Sequence, residues 1–292
     1  SAAALTRGCS RQRTPRVKPR VCILKASYGN GLADAIRRLL QEHKAGVRGK
    51  HVLLKPNLVE FDPETAINTH PALVAAVLDA CRALGAASVR IAEGPGHRRP
   101  TLELAEAAGY FAAIPDFESL FTDLNLDDVT QVRLPRSAPG LETVYFPKTV
   151  LRSGLILSLA KLKTHHWAGV TLSMKNLFGL VPGAVYGWPK NVLHWAGIED
   201  SILAINSVFP NVFAIVDGIE GMEGNGPIQG RRKHAGVVVG GADRVAVDAT
   251  CCRVMGIDPR RVRYLEEAAG AGQTIEENVV QTGEPVASVS TP

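Results

Sequence analysis

The sequence predicts an α/β protein built on a mostly parallel sheet with helices on both faces, plus a small β-rich insertion. Two observations carry this. Short Val/Ile-rich runs alternate with amphipathic stretches along most of the chain, the pattern of strands feeding crossover helices onto a sheet covered on both sides. Only 5% of the residues are aromatic against 46% apolar, so the core has to be assembled mainly from Val, Leu, Ile and Ala.

The elements follow in order. VCILKA (21–26) reads as the first strand and GLADAIRRLLQEH as its helix. HVLLK (51–55) is the second strand, and PALVAAVLDACRALG follows as an amphipathic helix after a loop. SVRIAE (88–93) is the third, with TLELAEAAG helical behind it. Residues 110–150 break the rhythm with short mixed runs, acids and prolines, and read as an inserted β-rich subdomain. LILSLA (155–160), NVFAIVD (211–217) and AGVVVGG (235–241) continue the sheet. IEDSILAINSVF and DRVAVDATCCRVMG supply the last long helices. This divides the chain into a basic arm over 1–20, an α/β domain over 21–272 and a polar tail over 273–292 containing a short strand.

Charge is uneven. Residues 1–25 hold Arg7, Arg11, Arg13, Arg16, Lys18, Arg20 and Lys25 and no acid, so the other 26 Lys and Arg face 28 Asp and Glu. The body is nearly neutral, and no basic face with stacking aromatics points to nucleic acid. No run approaches the roughly 20 apolar residues that span a bilayer. The SAAAL start resembles the small-residue region around a signal-peptidase site, which makes export the expected localisation. Cys9 and Cys22 are then available to pair, whereas Cys81 and Cys251 fall in helical apolar patterns as packed thiols. No closely spaced four-cysteine run for an iron–sulfur cluster occurs in the sequence.

Open parallel sheets bind ligands beyond the carboxyl ends of their strands. Those ends carry Lys55, Glu93, Lys161, Lys163 and Asp217, then the Gly240-Gly241 pair. Any one of these residues reads equally well as a solvated strand terminus; the set points to a shared polar crevice. In EGPGH (93–97), Gly94 and Gly96 let backbone amides approach an anion, and KPN (55–57) directs Asn57 towards the same crevice. DGIEGMEGNGPIQG (217–230) reads as a glycine-rich loop able to wrap a ligand through Gly224, Asn225 and Gly226. His165 and His166 are adjacent and point apart on regular structure, and His194 lies in another loop. With Asp217, Glu220 and Glu223 they form a mixed nitrogen and oxygen set suited to iron, manganese or zinc. Equally, they serve as hydrogen-bonded structural residues beside Trp167 and Trp195.

KPN (55–57), THP (69–71), EG (93–94), KLKTH (161–165), SMKNLFG (173–179), DGIEGMEGNGP (217–227) and the segment 239–259 together resemble the signatures of domain-of-unknown-function family 362, over roughly residues 20–272. The resemblance implies a site drawn from Lys55, Asn57, Glu93, Lys161, Lys163, His165, Lys175, Asn176, Asp217, Glu220, Glu223 and Asp248. Many members of that family carry a ferredoxin-like segment with cysteine runs, which these 292 residues lack.

Three functions are in competition. The first is an enzyme or binding protein for a metal or a small anion, with Lys161, Lys163 and Lys175 holding carboxylate or phosphate and Glu93 or His165 acting as general base. The second is an exported subunit that forms a homo-oligomer or filament through its arm. The third, metal-based electron transfer, stands only on the family association.

Overall fold

The computed structural model describes residues 17–270 and 272–292. The arm expected over 1–20 lies outside the described residues up to position 16, and so do Cys9, its pairing with Cys22 and assembly through the arm. Eleven strands are present among the described residues: β1 (Arg20–Lys25), β2 (His51–Pro56), β3 (Ser88–Glu93), β4 (Phe121–Asp123), β5 (Val129–Ala138), β6 (Leu141–Pro147), β7 (Leu155–His165), β8 (Gly169–Thr171), β9 (Val212–Asn225), β10 (Gln229–Gly241) and β11 (Val280–Gly283). Nine belong to one sheet in the order β11-β1-β10-β9-β7-β2-β3-β4, with β8 beside β7. Pairings β2/β3, β2/β7, β3/β4, β7/β9 and β1/β11 are parallel; β9/β10, β1/β10 and β7/β8 are antiparallel.

The consecutive apolar residues of the strands are explained by burial on both faces. Along β7, Leu155, Leu157 and Leu159 enter one core while Ile156, Ala160 and Leu162 enter the other, because successive side chains point to opposite sides of a strand. Helices Leu32–Glu42 and Pro71–Ala83 cover the first side. Helices Ile198–Val208 and Arg244–Val254 cover the second. Two of these starts are encoded locally: His70 caps the helix that Pro71 opens, and Asp243 accepts the amide of Ala246.

The 110–150 region begins with helical turns Tyr110–Ala113 and Phe117–Leu120 and contains the separate hairpin β5–β6. That hairpin packs onto the second core through Val144 and Phe146, the latter edge-on to Phe209 at 5.1 Å. Residues 280–283 extend the main sheet by pairing with β1.

Two expectations are corrected. The glycine-rich segment 217–230 is not a loop around a ligand; it is the far half of the β9–β10 hairpin, paired continuously from Glu220–His234 to Asn225–Gln229. And β10 runs antiparallel to β9, so Gly240-Gly241 lies opposite Ile215 and Ala214, away from the strand ends that carry Lys55, Glu93 and Asp217.

Candidate functional site

Residues at the ends of β2, β3 and β7 enclose a cavity of about 130 Å³. Lys55 is wholly buried and its ammonium is saturated: it donates to Glu93 Oε2 (2.5 Å), the Pro56 carbonyl (2.6 Å) and Asn176 Oδ1 (3.1 Å). Glu93 also accepts the amides of Leu58 (3.2 Å) and Gly94 (2.8 Å). This ion pair is the floor of the cavity. Burial lowers the Lys55 amine and Glu93 opposes that shift. Gly179 must be glycine here, because a Cβ would strike Glu93 Oε1 and Lys55 Nζ.

One turn of helix, Ser173–Asn176, supplies Lys175 and Asn176. Asp248 anchors it by accepting the amides of Ser173 and Met174, each at 2.9 Å. Burial raises the Asp248 carboxyl to about 7 against those two amides, which favour the anion. Lys175 lines the cavity with its ammonium 4.3 Å from the centre of the Phe178 ring and has no hydrogen-bond acceptor among the described residues. Burial and the Lys55 charge lower it to about 8.

Lys163 and Lys190 complete the lysine set. Lys163 donates to the carbonyls of Ile67 (2.7 Å) and Pro227 (3.2 Å); burial, then Lys175 and Lys161, push it well below the ordinary lysine range. Lys190 donates to the carbonyls of Gly94 (2.8 Å) and Phe178 (3.0 Å) and is lowered to about 7, chiefly by burial.

Two imidazoles on the wall, His165 and His194, are neutral and of opposite tautomer. His165 Nδ1 accepts the amides of Trp167 (3.1 Å) and Ala168 (3.2 Å), leaving its proton on Nε2. Burial and the neighbouring Lys175 hold its protonation down at about 2. His194 Nδ1 donates to the Lys190 carbonyl (3.1 Å), leaving Nε2 as an open acceptor. Two further lining groups, Asn57 Oδ1 and Thr171 Oγ1, are buried without a partner among the described residues, a condition native interiors rarely leave unmet.

The expected residues therefore divide. Lys55, Asn57, Glu93, Gly94, Gly96, Lys163, His165, Lys175, Asn176 and His194 share the cavity. Lys161 and Asp217 do not: Lys161 lines a separate groove with Tyr28, and buried Asp217 pairs with Lys161 at 2.9 Å and accepts the Tyr28 hydroxyl at 2.7 Å. Glu220 faces His234 at 2.8 Å, and Glu223 pairs with Arg231 and Lys233 at 3.2 Å. His166 turns to the Gly226 carbonyl, and Asn225 bonds Gln229. Gly224 takes a left-handed backbone (φ 84°) and its carbonyl accepts the Thr164 hydroxyl, whereas a Cβ at Gly226 would strike Thr164 O. The ligand set proposed for a metal is thus dispersed, and among the described residues no three His, Cys, Asp or Glu side chains gather to hold one.

Sequence reasoning missed Lys190, His97 and Thr171 as wall residues. His97 closes the EGPGH motif and was within reach of that argument. Lys190 sits in a loop with left-handed backbone (φ 67°), and no periodicity in the sequence marks it.

The lactate racemase apoprotein of Thermoanaerobacterium thermosaccharolyticum superposes with a TM-score of 0.50 at 15% identity over 83% of this chain, which spans only 58% of the racemase. That similarity establishes the α/β architecture alone. The thylakoid-associated protein sll1697 of Synechocystis is 28% identical over 268 residues, 86% of this chain and 79% of its own length. The model of a family described only as a domain of unknown function matches residues 52–253, well over half of the sequence, and the chain belongs to that family, DUF362.

Proposed function

We propose that the cavity binds a small organic anion and that the neutral imidazoles at its wall move protons on it. The observation that carries this reading is Lys175: a largely sheltered ammonium with no acceptor among the described residues, lining the same cavity as the orphaned polar atoms of Asn57 and Thr171. A cation in that position is balanced best by a ligand carboxylate or phosphate. At about 130 Å³ the space is well below the roughly 300–1,000 Å³ of sites for drug-sized molecules, so the anion is a few heavy atoms. Lactate, the substrate of the structural neighbour, belongs to that size class. Glu93 is a poor general base because its oxygens already accept three donors. His194 Nε2 is the better acceptor and His165 Nε2–H the better donor.

Titration calorimetry with oxalate, lactate, pyruvate and phosphate tests the proposal. The expected result is saturable binding of at least one of them, weakened about tenfold or more in Lys175→Gln, equivalent to at least about 1.4 kcal/mol. Failure of all four anions to bind, or unchanged binding in Lys175→Gln, overturns it.

A further inference from the structure

We infer that Lys163 is a nucleophilic amine that forms an imine with a small 2-oxo acid bound in the cavity, an inference that rests on the anion-binding reading. A protonated lysine carries three N–H groups, a neutral one carries two and a lone pair. Lys163 has two acceptors, both carbonyls, and no carboxylate within ion-pairing distance among the described residues. It is wholly buried on β7, where an unpaired ammonium is strongly disfavoured. The neutral form matches its partners one for one and leaves only the lone pair unengaged. Lys55 and Lys161 are matched to Glu93 and Asp217, and Lys175 has no acceptor; Lys190 shares the pattern of two carbonyl acceptors, and what sets Lys163 apart from it is the neighbour across the ladder.

A second observation stands beside the first. Thr171 lies directly across the β7/β8 ladder from Lys163, so the two side chains emerge on the same face. Its hydroxyl is among the buried groups without a partner, and both residues line the cavity. A hydroxyl next to a nucleophilic amine is placed to bond the oxygen that the attack creates.

The step balances without a redox partner. The lone pair of Nζ forms a C–N bond to the keto carbon, and the carbonyl π pair moves to oxygen, which takes up the proton released by nitrogen. The carbinolamine nitrogen then forms C=N as the C–O bond breaks; the departing hydroxide takes the remaining nitrogen proton, relayed by the Thr171 hydroxyl, and leaves as water while His165 Nε2–H hydrogen-bonds it. Lys175 holds the carboxylate. Desolvated lysines beside other cations are a recognised route to such nucleophiles.

Reductive trapping tests the inference. Full-length protein is incubated near pH 7.4 with pyruvate or glyoxylate and cyanoborohydride, then weighed intact and mapped by peptide mass spectrometry. The inference predicts one adduct per chain on the peptide containing Lys163. It should form about tenfold or more faster than on exposed Lys50, because an ordinary lysine is only about 0.1% neutral at that pH. Excess oxalate should slow it, and Lys163→Gln and Lys163→Arg should both abolish it. Oxalate calorimetry on the same variants reports whether the cavity still forms. Adducts spread over exposed lysines, or centred on Lys175 or Lys190, overturn the inference. Absence of trapping in protein that binds oxalate also overturns it and leaves the anion site standing.

Discussion

Anion affinity should fall steeply above pH 8, and the fall should belong to Lys175. Its ammonium is lowered from the ordinary 10.5 to about 8 by burial and by Lys55. An anion binds the protonated form, so affinity is complete below about pH 8 and declines as the proton is lost. Each unit above the free-protein value costs about tenfold, or about 1.4 kcal/mol. Between pH 8 and 10 the loss is therefore about a hundredfold, levelling off only when the pH passes the value Lys175 acquires with the anion bound. Two neighbouring groups do not imitate this. His165, at about 2, stays neutral throughout, and Lys190, at about 7, has lost most of its charge before the window opens. Calorimetry with oxalate from pH 7 to 10 measures the slope, and Lys175→Arg supplies the control, because a guanidinium keeps its charge. A flat profile in the parent protein, or an equally steep one in Lys175→Arg, refutes the assignment. The free protein should show the opposite trend in stability. The folded value lies below the unfolded one, so the protonated lysine costs stability in full below about pH 8, and that cost is relieved as pH rises towards 10.5.

Three further outcomes follow from the packing. Removing one partner of the Lys55–Glu93 pair, as in Glu93→Gln or Lys55→Met, should lower unfolding free energy by about 3–5 kcal/mol in urea titrations, whereas Lys55→Met/Glu93→Leu should recover much of it. Thr171→Val removes a buried hydroxyl that has no partner, so it should leave stability unchanged or raise it by up to about 1 kcal/mol, while calorimetry shows weaker anion binding. Asp248→Ala frees the amides of Ser173 and Met174 and should cost about 1–3 kcal/mol; because that turn aims Lys175, anion binding should weaken with it.

Parallel topology made the strand ends legible: Lys55, Glu93, Lys161 and Asp217 stand where the apolar runs stop, and a reader of one sequence can find them. Composition misreads the 217–230 segment for a physical reason. Glycine is a poor strand former, so a run rich in it reads as loop. Here the glycines mark places where neighbouring backbones and side chains approach too closely for a Cβ: at Gly221 it would lie 2.7 Å from the Leu162 carbonyl, at Gly218 2.9 Å from Leu162 Cδ2, and at Gly230 2.5 Å from the Glu223 carbonyl. Close approach inside a sheet and freedom in a loop select the same residue, and composition alone does not separate them.

The division of the expected crevice into two has a similar cause. Lys161 and Lys163 are two residues apart on β7 and should share a face. The ladder to β9 slips between them, with Lys161 opposite Asp217 and Lys163 opposite Met222. A slip of this kind redirects a side chain locally. It gives Lys161 a carboxylate and leaves Lys163 with carbonyls alone. The KLK motif thus holds two lysines of different chemistry, one committed to an ion pair and one left as a free amine beside the cavity. That difference originates in the pairing partner and not in the lysines, which is why no inspection of residues 161–163 by themselves reveals it.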